Sequence, residues 1–215
     1  MKIQKKEFEW ARPLKPLDLS KVTGIALHHM AHPTAGMDEI HQWHLARGWK
    51  GFAYNYWIDF DGTIYECRGL NKGGGLYDPL NKTILSIGFQ GDYDKSKIMP
   101  KAQYQAGVEL IRYLKRLIPT IQTVNGHKHW QDNTSCPGKY YPLSEIITDS
   151  NRVIDNNMPV KDFDQVASWA KESVKKVVRA GIMLGDDQGN FNPKANITRQ
   201  EIAVALDRLI QKMKP

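Results

Sequence analysis

The chain has little cysteine, two residues in 215, too few for a disulfide framework at this size. It has no apolar run long enough to cross a membrane. The start, MKIQKKEFEWARPLKP, is basic but carries no apolar h-region, so no signal peptide is read and synthesis in a reducing cytosol is expected. No Gly-rich phosphate loop interrupts the pattern of strands and helices, which argues against a nucleotide-binding fold. Acidic residues are in deficit, 23 against 30 Lys and Arg, for a formal charge of +7. That excess favours polyanionic partners, whether nucleic acid, an anionic membrane or an anionic cell wall, and is equally compatible with a plain basic surface. A nucleic-acid binder would rest on charge alone, because no recognition motif accompanies it.

What is present organises into two parts. The length suits one ordinary domain and one small module. The polar stretch TDSNRVIDNNMPVKDFD, 148–164, lacks periodicity and reads as a linker region. The expected division is residues 1–149, a linker at 150–161, and a module over 162–215. Upstream, TGIALHH and ILSIGFQG read as buried strands. NYWIDFDGTIYEC reads as a hairpin turning at Asp61-Gly62. GMDEIHQWHLARG reads as a helix with Met37, Ile40 and Trp43 or His44 inward, closed by Gly48. A second helix starts at Pro100 and runs amphipathically to Ile118, and the short strand TVNGH delivers His127. The fold class is therefore α/β, a mixed central sheet flanked by helices, with a small all-α module behind it. In that tail, SWAKESVKKVVRAG is a helix closed by Gly181, DDQGNFNP a turn-rich loop, and ITRQEIAVALDRLIQKM a helix whose Thr198 and Glu201 form a capping box.

The chemistry gathers in GHKHWQDNTSCPG, 126–138, where one of the two cysteines sits in a polar loop that packing does not explain. A catalytic zinc usually takes three ligands from His, Cys or carboxylate and keeps a fourth position for water. His127 and Cys136 stand at the ends of one loop, and LHHMAH offers His28 or His29 as a third donor. Strand alternation sends only one of that pair into a shared site. His29 is expected to pack on the opposite face, and His32, His41 and His44 on a loop or helix surface. His129 could exchange roles with His127 if the strand continued. Trp49 and Trp57 are expected in the core, Trp130 in the core or along the cleft, and Cys67 as a small buried hydrophobe.

IALHHMA, GWKGFAYNYWIDFDGTIY, ILSIGFQG and GHKHWQDNTSCPG, in that order over about residues 20–147, resemble the zinc-dependent N-acetylmuramoyl-L-alanine amidases. That family includes phage lysozymes of amidase type and the peptidoglycan recognition proteins. The resemblance implies one zinc held by His28, His127 and Cys136, with Tyr54 and Thr134 contributing to catalysis. The implied reaction is hydrolysis of the amide between N-acetylmuramic acid and L-alanine; the alternative is a peptidoglycan-binding protein without catalysis. Two departures stand out. Gly73–Gly75 replace a Gly-x-His segment and are expected to form a mobile loop, and Gln90 falls where some relatives carry a catalytic Glu.

The tail resembles a single S-layer homology repeat through its Trp-Ala start, Ala-Gly-Ile, Gly-x-Phe-x-Pro and Ile-Thr-Arg-x-Glu. The resemblance implies contact with an anionic secondary wall polymer through Arg199, Trp169 and Gly185, or assembly into oligomers, since such repeats cluster in threes. A wall-directed amidase of this kind is expected to be made in the host cytoplasm without a signal peptide. It would then act on the wall after release, as the endolysin of a phage or prophage.

Overall fold

The computed structural model describes residues 2–151 and 160–213. The chain divides into two compact units, Met1–Arg152 and Val153–Pro215. Most of the expected linker lies outside the described residues, but 148–151 are helical and close the first unit.

The first unit runs β1 (Ile3–Lys5), β2 (Gly24–His29), α1 (Met37–Ala46), β3 (Tyr56–Ile58), β4 (Ile64–Glu66) and β5 (Ile84–Phe89). It continues through α2 (Lys101–Leu117), β6 (Thr123–Gly126), the single turn α3 (His127–Trp130) and α4 (Leu143–Asn151). Its six strands form one sheet in the order β1-β4-β3-β5-β2-β6. Only the β3–β4 hairpin pairs antiparallel; the other neighbours are parallel. Gly62 supplies the positive φ, +85°, at that hairpin turn. The central strands β2 and β5 are buried at every residue, as parallel strands covered on both faces must be. Their continuous apolar runs follow from this.

One face of the sheet packs on α2 and α4. Leu110, Ile111 and Leu114 of α2 are fully buried against Ile25, Leu27, Ile87 and Phe89. Each such side chain contributes about 1.5–3 kcal/mol by leaving water. The other face carries α1 and a second cluster built on Ile40, Phe52, Tyr54 and Trp57. Here two expectations change. His41 and His44 are buried, not on the helix surface. The Phe52 N–H donates to His41 Nδ1 at 3.0 Å, His41 Nε2 meets the Glu9 carbonyl at 3.1 Å, and the ring stacks on Phe8. With both nitrogens satisfied by backbone, an imidazole is admitted to the core.

The second unit contains α5 (Lys171–Arg179) and α6 (Arg199–Met213) joined by a turn-rich loop. The Thr198 N–H donates to Glu201 at 2.7 Å and the Glu201 N–H returns to Thr198 Oγ1 at 3.2 Å, the reciprocal cap. Gly181 ends the α5 segment at φ +65°.

Candidate metal centre and cleft

Alternation along β2 separates its two histidines. Ile25 and Leu27 point into the α2 face, so His28 points to the other, where its ring lies 5.2 Å from that of Tyr54. His29 turns away: its Nδ1 accepts from the Tyr93 N–H at 2.9 Å and its Nε2 is 3.9 Å from Asp94. Gly88, paired with His28 across β2 and β5, makes room for Tyr54; a Cβ there would stand 2.6 Å from the Tyr54 ring.

β6 ends at Gly126, and His127 opens α3 with its ring centroid 4.5 Å from that of His28. Because 127–130 is a helical turn and not a strand, His129 does not exchange with His127, and it is exposed. Cys136 brings Sγ to 3.8 Å from His28 Nδ1. One donor atom from each of His28, His127 and Cys136 lies within 4.8 Å of the others. The Thr134 hydroxyl accepts the Cys136 N–H at 3.1 Å. Asp94 fastens the same loop from outside, accepting from Ser135 Oγ at 3.1 Å and from the Lys139 N–H at 3.2 Å. His29, Asp92 and Asp94 also cluster, but Asp92 pairs with Lys95 and Asp94 with the loop, so this group acts as a clamp.

The electrostatics suit a cation. Burial, and then the neighbouring His127 and His29, hold His28 well below its usual range, so it is a neutral ligand. Its Nε2 is buried with no hydrogen-bond partner among the described residues. His127 is lowered by burial against the opposing Gln131 bond; Gln131 Oε1 lies 2.8 Å from Nε2 and fixes the tautomer that leaves Nδ1 its lone pair. Burial pushes the Cys136 thiol up to about 12, so without a cation it keeps its proton. Two neutral imidazoles and a thiol that only a metal would ionise make a donor set that fits zinc, with a position to spare. Tyr54 is raised by burial and then by Cys136, and remains a phenol able to donate.

His127 and Thr134 open onto a cleft of about 620 Å³ that is also lined by Trp49, Gly75 and Tyr77. Trp49 is thus a 41% exposed cleft residue and not a core one, stacked on His44 at 4.8 Å. Trp130 packs instead beside Ala26 and Ile84. The triglycine is pinned where mobility was expected: the Gly74 N–H donates to Ala53 O at 2.9 Å and Gly73 O accepts from Arg68. Gln90 uses its Oε1 to accept the Phe60 N–H, an anchoring bond at the hairpin.

Residues 18–139 match the family model described as N-acetylmuramoyl-L-alanine amidase. The chain belongs to this family. Peptidoglycan-recognition protein LB of Drosophila melanogaster is 31% identical over 133 residues, 58% of this chain and 56% of its own. The chain therefore spans little more than half of that relative. The endolysin N-acetylmuramoyl-L-alanine amidase LysCS of Clostridium intestinale superposes with a TM-score of 0.63 at 28% identity, covering 70% of this chain and 95% of its own. Residues 160–203 match the S-layer homology domain, and 52 residues are 38% identical to the surface-layer 125 kDa protein of Lysinibacillus sphaericus, 24% of this chain and 4% of that one.

Sequence reasoning passed over Gln131, although its i+4 spacing from His127 in HKHWQ was a readable signal. It also passed over Asn55, a fully buried amide. Asn55 donates to Gly69 and Asn71 carbonyls at 2.7 Å and accepts the Ser86 N–H, tying the segment that enters β3 to β5. In the S-layer homology unit, Gly185 lines a cleft of about 650 Å³ with Ile197 and Arg208. Trp169 is 89% exposed and Arg199 is exposed, and neither lines that cleft.

Proposed function

We propose that this chain is a zinc-dependent N-acetylmuramoyl-L-alanine amidase that hydrolyses the bond between N-acetylmuramic acid and L-alanine. The observation that carries the reading is the convergence of His28, His127 and Cys136 within 4.8 Å beside an open cleft. Zinc bound there would lower the pKa of water to about 7 and polarise a carbonyl. The chain supplies the rest. His28 and His127, held neutral by burial, donate lone pairs, and Gln131 keeps the His127 ring in register. Tyr54, kept protonated, donates a hydrogen bond toward the oxygen that gains charge. Thr134 orients the attacking water or the tetrahedral carbon from the cleft wall, its oxygen positioned by the Cys136 N–H.

The S-layer homology unit would hold the enzyme on an anionic wall polymer. Kinship with a clostridial endolysin supports a role in phage or prophage lysis, acting on the wall after release from the cytoplasm. Relatives named for recognition raise a second reading, a groove that binds without cutting. The thiol in the donor set favours cleavage.

Digestion of Gram-positive peptidoglycan with and without a chelator, read by mass spectrometry, tests the proposal. Stem peptides beginning with L-alanine should appear, vanish on chelation and return with zinc. Cys136→Ser should lose both bound zinc and this product. Cleavage that survives chelation would sink the metal mechanism, and binding without cleavage would leave the recognition groove.

A further inference from the structure

The cleft beside the metal centre is lined by five cations, Arg12, Lys15, Lys50, Arg68 and Lys72. Among the described residues that line it, Asp78 is the one acid, and it pairs with Lys72 at 2.5 Å. This imbalance exceeds what a solvated surface of mixed charge would show. The Lys50 ammonium is held below its usual range by its own desolvation and then by Lys15, Arg68, Arg12 and Lys72. The cations thus crowd one another, and among the described residues of the lining Lys72 alone has an acidic partner.

Their placement is built, not incidental. The arm between β1 and β2 is laced to the cleft wall: the Ala11 N–H donates to Lys50 O, the Lys72 N–H to Lys15 O, and Lys50 Nζ reaches Pro13 O. Arg68 forms the floor. It is 4% exposed, and its guanidinium donates to the carbonyls of Phe52, Lys72, Gly73 and Gly51. So engaged, Arg68 adds positive potential; Arg12 donates to the Gly48 carbonyl and Lys72 pairs with Asp78, while Lys15, and Lys50 with the donors that Pro13 O leaves over, are the groups able to meet a ligand.

The triglycine gives the scale. Gly73 O accepts from Arg68, whereas a Cβ on Gly75 would stand 3.2 Å from His28 Nε2. Two residues of chain span at most about 7 Å. The Gly73 carbonyl that Arg68 holds therefore lies within about two residue lengths of Gly75, the residue that flanks His28. A stem peptide extended from the scissile carbonyl advances by the same step per residue.

We infer that Lys15 and Lys50, carried by the N-terminal arm and the segment after α1, form a carboxylate subsite that selects acidic peptide stems. The group they meet is a free carboxylate on the second stem residue, and a carboxamide there forfeits the contact. This inference rests on the amidase reading of the same cleft.

The test uses the full-length, zinc-loaded protein and two muramyl tetrapeptides that differ only at the second residue, free carboxylate against carboxamide. Binding is measured by calorimetry and turnover in parallel. The carboxylate form should bind about tenfold more tightly at low salt, with kcat unchanged, since a charge-assisted contact is worth about one decade. The preference should shrink in 0.3 M salt. It should largely disappear in the Lys15→Gln/Lys50→Gln double variant, whose thermal unfolding reports intact folding. Equal affinity of the wild-type protein for both peptides, or a preference that persists in a folded double variant, overturns the subsite while leaving the amidase intact. Failure to bind or cleave either peptide overturns the amidase reading, and the subsite with it.

Discussion

The two units of this chain are held together by different physics. The amidase unit buries long apolar side chains in layers on both faces of a sheet, with Ile25, Leu27, Leu85, Ile87 and Leu110 fully out of water. Among its described residues the S-layer homology unit buries few apolar side chains beyond Val160, Val166 and Val178, and α6 buries none of its residues. Polar groups that organise the backbone do more of the work there. The Asp162 carboxylate accepts the N–H groups of Phe191 and Asn192 at 2.6 and 2.8 Å, and Asp186 accepts those of Gln188 and Asn190 at 2.9 and 2.8 Å. A unit of this size has too little interior to rely on burial alone. The comparison teaches that precise positioning, which a metal centre demands, belongs to the unit with the packed core.

The largest expected effect tests the packed side of that contrast. Leu110→Ala removes a fully buried side chain between α2 and the sheet. It should cost the amidase unit about 2–5 kcal/mol, transfer and cavity terms together, measured by denaturant unfolding. A cost below about 1 kcal/mol, the scale of an ordinary point mutation, would mean the core is not what holds this unit.

The same contrast decides what the sequence made legible. β2, β5, the β3–β4 hairpin and the body of α2 follow from local signals: apolar runs, Asp61-Gly62, and Pro100 ahead of a helical stripe. The cap at Thr198 was equally readable because its partners are three residues apart. α4 was not read as a helix. Its apolar stripe is short, and Tyr104 anchors it by donating to Asp149 at 2.7 Å, 45 residues away in sequence. The inward turn of His41 depends on Phe52 and Glu9, which no periodicity within α1 reveals. The metal donors were reached by resemblance combined with strand alternation, whereas the cationic wall required the arm and the 68–75 segment to be folded together.

A smaller effect tests the polar side. Thr198→Ala deletes the side chain that accepts the Glu201 N–H at the start of α6. The loss should be about 1 kcal/mol, read as faster amide exchange in the first turns of α6. Thr198→Ser should restore protection, because the hydroxyl is what caps. The amidase unit should be unmoved by either change.

The smallest effect is the sharpest test of how α6 is held. Leu206 is 53% exposed, and Ile202 and Ile210, four residues to either side, are 42% and 56% exposed on the same helix. Leu206→Ser should therefore shift the stability of this unit by no more than about 0.5 kcal/mol, the usual range for an uncovered surface position. Exchange rates along α6 should stay within a factor of about two, the equivalent of that energy or less. A loss above 1 kcal/mol would show that the helix buries this face in solution, and the contrast between the two units would then be one of where the apolar contacts lie and not of how many each unit has.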